Sequence, residues 1–160
     1  MACEICVFGP VVIVLWGKPE LPDLDRILKV VDEAAAATAA PITIVMRVPE
    51  DAEAPEPVVR NAINKDKMPV LLGKCRAFHS VMEGSGFANT VKRSVLAAIF
   101  MASGRRKTFF VHSRVEQVLT AVGNHERQVL HEAFNVARAR GLFTRSLPSK
   151  AARPQLHPSA

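Results

Sequence analysis

The chain has 160 residues, 49% of them hydrophobic and 22% charged, enough for one ordinary domain that removes roughly 70% of its unfolded surface from water. This composition excludes disorder over most of the length, and two full domains would be cramped. The formal net charge of +6 is unevenly held, since residues 1–73 are net acidic and residues 74–160 strongly basic.

The opening run, Met1 to Trp16, has the apolarity of a signal peptide but carries Glu4 where a signal wants Lys or Arg, Pro10 mid-run and no small-residue cleavage pattern. It predicts no export and a cytoplasmic location. Three cysteines, Cys3, Cys6 and Cys75, are an odd set in a domain large enough to do without disulfides, which fits a reducing compartment. Cys3 to Phe8 and Val11 to Trp16 read as strands joined at Gly9-Pro10, a pair suited to a II′ hairpin because glycine takes the positive-φ place. The unbroken apolarity of Val11 to Trp16 marks a strand covered on both faces. Leu24, Ile27, Leu28 and Val31 recur at helical spacing and predict a first helix running into the alanines at 34–37. Ile42 to Val48 is the next strand.

The acidic, proline-bearing stretch Pro49 to Glu56 reads as a loop, with Pro57 in the first turn of a second helix that Pro69 kinks or splits. Ala77 to Glu83 is a strand, Gly84-Ser85-Gly86 a turn, and Val91, Val95, Ala98, Ile99 and Ala102 stripe a third helix ending at Gly104. Its longest apolar run, Val95 to Ala102, falls well short of the roughly 18 residues a membrane span needs. Thr108 to His112 is the last strand. Ser113-Arg114-Val115-Glu116 is a capping-box pattern opening a helix with Val115, Val118, Leu119 and Val122 inward, and Asn124 to Arg140 makes a further helix closed by Gly141. Residues 142–160, with Pro148, Pro154 and Pro158, three basic residues and no acid, are expected to be a disordered tail, leaving 1–141 as the folded domain.

No constellation along the chain predicts catalysis, a metal or a cofactor. Cys3 and Cys6 form a C-x-x-C, but on a strand residues three apart point to opposite faces, so the sulfurs diverge. His125-Glu126 and His131-Glu132 invite a metalloprotease reading, yet histidines six apart on a helix are turned by about 240° and miss a common zinc. His79 and His112 fall in predicted strands without a visible partner.

An opening hairpin followed by helix–strand alternation with right-handed crossovers implies a mixed α/β sheet of about five strands with helices against it. This order resembles the STAS domain family, the anti-sigma-factor-antagonist type, chiefly over residues 77–122: an apolar strand ending in Glu83-Gly84-Ser85-Gly86-Phe87, a helix, the strand Phe109-Phe110-Val111-His112, and Ser113-Arg114-Val115-Glu116-Gln117-Val118-Leu119. The resemblance implies a STAS-like fold with an extra C-terminal helix and a non-catalytic regulatory or scaffolding role through a protein partner. The family's Asp-Ser phosphorylation motif is absent. Val91-Lys92-Arg93-Ser94 stands in its place, and Ser85, Thr90 and Ser94 are the nearest hydroxyls.

Three functions stay open at this point. The leading one is partner binding at Gly84, Ser85, Gly86, Phe87, Asn89, Thr90, Lys92, Arg93 and Ser94, a turn and helix start that carry two cations beside a large apolar side chain, Phe87. The second is nucleic-acid binding through Lys74, Arg76, Lys92, Arg93, Arg105, Arg106 and Lys107, which supply charge but no interleaved aromatics for base stacking. The third is a small anionic ligand, a nucleotide or phosphate, at the 84–94 loop and helix start. The plain alternative for each is a solvated, capped surface. A homodimer is compatible with all of them, and no membrane contact is expected.

Overall fold

The computed structural model describes residues 3–86, 89–90, 92–94 and 108–142. Phe87, most of the helix expected over 91–104, the cations Arg105, Arg106 and Lys107, and the tail expected after Leu142 lie outside them. Strands β1 (Glu4–Phe8), β2 (Val11–Leu15), β3 (Ile42–Val48), β4 (Cys75–Met82) and β5 (Phe109–His112) form one sheet in that order. The β1–β2 pair is antiparallel and the other three pairs are parallel. Gly9 closes the hairpin with φ +52, and proline's fixed φ near −65° completes the II′ geometry.

Four parallel strands laid down in sequence order need crossovers, and right-handed crossovers all advancing one way put their helices on one face. Helix α1 (Leu21–Thr38) joins β2 to β3. Helices α2 (Pro57–Ala62) and α3 (Met68–Lys74), separated by a π-helical turn at Ile63–Lys67, join β3 to β4. The second helix thus breaks ahead of Pro69, which sits in the first turn of α3, where its missing N–H costs nothing. Leu24, Ile27 and Val31 of α1 and Leu71 and Leu72 of α3 pack on Val12, Val14, Ile42, Ile44, Phe78 and Phe109. Each such burial is worth roughly 1.5–3 kcal/mol. The rings of Phe78 and Phe109 stack across β4 and β5 with centroids 5.3 Å apart.

The opposite face is covered by α4 (Glu116–Thr120) and α5 (Asn124–Ala139). Leu130, Ala133, Phe134 and Ala137, spaced at i, i+3, i+4 and i+7, lie on Val11, Ile13, Leu15, Val45 and Val81. The expected capping box at α4 forms differently: Gln117, not Glu116, turns back, its Oε1 accepting from Ser113 N at 2.8 Å, Ser113 Oγ at 3.1 Å and Arg114 N at 3.2 Å. Gly141, at φ +82, ends α5 and turns the chain so that Leu142, the first residue of the expected tail, is buried with its carbonyl accepting from Arg47 Nη1 at 2.7 Å. Among the described residues, no helix is long and apolar enough to cross a membrane.

Candidate functional site

Parallel strands end together, and ligands of open α/β sheets bind beyond their carboxyl ends. Beyond β3, β4 and β5 lies a cleft of about 650 Å³. Four guanidinium groups reach it from four segments: Arg47 near the end of β3, Arg93 after β4, Arg114 after β5, and Arg138 in the last turn of α5. Arg47 is buried and grips Glu83 with both ends of its fork, Nε to Oε1 at 2.8 Å and Nη2 to Oε2 at 3.0 Å. A bidentate pair of this kind fixes both side chains and ties β3 to the end of β4.

The residues expected at the site divide between two concavities. Gly84, Ser85, Gly86, Thr90 and Arg93 line the arginine cleft. Asn89 and Lys92 line a neighbouring groove of about 400 Å³ whose walls include Trp16, Met46, Val48, Met68, Met82 and Phe109. The segment 84–93 is therefore a ridge between a polar cleft and an apolar groove. Glu50 and Glu83 border both. Ser94 is exposed and lines neither, and Phe87 lies outside the described residues.

The ridge is held by its backbone. Gly84 has φ +108, and a Cβ there would lie 2.6 Å from Asn89 Nδ2 and 2.8 Å from Glu50 Cδ. The positive φ calls for glycine, and a Cβ would also push aside the side-chain ends of Asn89 and Glu50. Arg93, expected as an exposed cation, is instead half-buried: its Nη1 donates to the carbonyls of Met82 at 3.1 Å and Gly84 at 3.0 Å, and its Nη2 to Thr90 Oγ1 at 3.3 Å. It pins the turn to the end of β4 because free carbonyls at a strand end need donors. Lys92 remains exposed.

His79 and His112, which sequence reasoning left unpartnered, meet on adjacent strands. His79 Nδ1 lies 3.0 Å from His112 Nε2, and the ring of His79 also stacks on Phe110. His79 is 1% exposed, and among the described residues its buried Nε2 has no hydrogen-bond partner. Burial, with the neighbouring His112 as a smaller cause, lowers the pKa of His79 to about 4, and burial lowers that of His112. Both rings are therefore neutral at pH 7. The less costly tautomer has His79 Nδ1–H donating to His112, which leaves a bare lone pair at Nε2 rather than an orphaned N–H.

Cys3 packs in the core beneath α1 and Cys6 in the core beneath α5, so their thiols lie on opposite faces of the sheet, as the spacing predicts. Among the described residues, the basic side chains do not form one patch. Lys74 pairs with Asp32 and Arg76 with Glu126 at the start of β4, whereas Lys92 and Arg93 lie beyond its end. An eight-residue strand separates the two sets by about 25 Å.

Arg47, Arg114 and Arg138 were not legible as site residues. Arg47 carried a faint signal, a lone charge inside the apolar strand Ile42–Val48. No family model, curated protein or solved structure matches the chain.

Proposed function

We propose that this chain is a non-catalytic regulatory or scaffolding domain, STAS-like in layout, that docks a protein partner over the ridge 84–94. The observation that carries the reading is the ridge itself, with an arginine-lined cleft on one flank and an apolar groove on the other. A partner segment straddling it meets an apolar seat, where desolvation supplies affinity, and cations that speed encounter with an acidic rim. The non-catalytic assignment is supported by the placement of His79 and His112, which line neither the arginine cleft nor the apolar groove.

The test is affinity capture from the source cell with the immobilised full chain, run beside the double variant Ser85→Glu with Lys92→Glu. Both positions are exposed, one on each flank, so the melting temperature should be unchanged. The expected result is a partner retained by the wild type and lost by the variant. A partner held equally by both would move the docking surface elsewhere.

A further inference from the structure

We infer that the arginine-lined cleft binds a small phosphomonoester whose organic part carries hydroxyl or amine groups. The inference does not depend on the docked partner. Among the described residues, Arg93, Arg114 and Arg138 form no salt bridge with a carboxylate, although they reach one cleft from three segments. The charge of Arg47 is neutralised by Glu83. With four guanidinium groups against the carboxylates of Glu50, Glu83 and Glu116 the lining keeps a net positive charge, three of those guanidinium groups hold no carboxylate directly among the described residues, and the planar fork of arginine matches phosphate oxygens in pairs.

Arg93 is already oriented by the Met82 and Gly84 carbonyls, so little rotamer freedom is lost when it meets an anion. Arg114 and Arg138 are exposed, Arg138 Nη1 donating to Asn135 Oδ1 at 3.3 Å, a long bond that an anion can replace. The two other carboxylates on the lining, Glu50 and Glu116, decide the rest of the ligand. They disfavour a polyphosphate at full charge and accept hydrogen bonds from hydroxyl or amine donors. A volume of about 650 Å³ suits a small molecule, for which pockets of about 300–1,000 Å³ are usual.

The experiment is isothermal titration calorimetry of the purified full chain with glycerol 3-phosphate, inorganic phosphate, glycerol and a phosphoserine peptide. The expected result is saturable binding of glycerol 3-phosphate, tighter than inorganic phosphate, with none for glycerol. Arg114→Ala and Arg138→Ala should each weaken it about tenfold or more while melting as the wild type does. Glu116→Gln should shrink the preference for the ester over inorganic phosphate. Absence of saturable heat at millimolar ester, or an affinity indifferent to both arginine variants, overturns the inference. A phosphopeptide bound as tightly as the ester also overturns it, in favour of a macromolecular ligand. A captured partner that depends on the ridge, together with no ester binding, would reject this inference and leave the docking surface standing.

Discussion

Acid should unfold this protein through His79, and the size of the effect follows from its burial. In the unfolded chain the imidazole titrates near 6.5, whereas in the fold, deprived of water and beside His112, it titrates at about 4. Between those values the unfolded state holds one proton more than the native state, so stability is complete above pH 6.5 and falls as the pH drops towards 4. The slope is about 1.4 kcal/mol per pH unit, which amounts to about 2.5 kcal/mol lost by about pH 4.5 and little further loss once the native ring also protonates. Trp16, the sole tryptophan, is buried in the core beneath α1. Its fluorescence during urea unfolding therefore reports the stability directly at each pH. The comparison is with His79→Phe, which keeps an aromatic ring between Phe110 and His112 but cannot take a proton. Carboxylates contribute the same acid slope to both proteins, so the difference between the two slopes isolates the imidazole. Superimposable dependences of unfolding free energy on pH would refute the reasoning, because they would mean that His79 is already solvated or charged in the native state.

Two further outcomes are expected. Gly84→Ala should destabilise by about 1–3 kcal/mol, since it forces a disfavoured φ and displaces the side-chain ends of Asn89 and Glu50; Gly73→Ala, on α3 where a Cβ meets nothing within 4 Å, should be neutral or stabilising by up to about 1 kcal/mol, and equal denaturation midpoints for the two variants would refute the assignment. Arg47→Met should cost about 3 kcal/mol by leaving Glu83 and the Leu142 carbonyl without their donor, and an unchanged urea midpoint would show that the pair does not hold the carboxyl ends of β3 and β4 together.

Local signals account for most of the fold that was legible in advance. Val11–Leu15 is apolar throughout, and Ile42–Val48 is apolar but for Thr43 and Arg47, because both strands are covered on both faces, and Gly9-Pro10 permits few turns. The helical spacing of Leu24, Ile27 and Val31 needs only one buried face. What was not legible depends on residues distant in sequence. Arg47 and Glu83 are 36 positions apart and His79 and His112 are 33 apart; each pair becomes adjacent only once the parallel register is set. The same holds for the cleft, because Arg114 and Arg138 converge with Arg93 only after α5 folds back across the sheet. At α4, Glu116 and Gln117 are both chemically able to cap, and the direction of the chain leaving β5 decides between them. The segment around Gly84 was found through its turn chemistry, and its division between two concavities comes from the loop Pro49 to Glu56 beside it.

Because every strand of the sheet lies beside its immediate predecessor in the chain, the structure can be assembled in the order in which it is synthesised. The β1–β2 hairpin closes with a two-residue turn, and each later strand needs only the segment just completed as its template, so loop-closure entropy is spent in small steps. The exception is α5, which returns from the C-terminal end to lie on β1 and β2. Until it docks, Ile13, Leu15 and Val45 stay in water, so a nascent chain halted before Asn124 would present an adhesive sheet face to chaperones and to its neighbours on the same messenger.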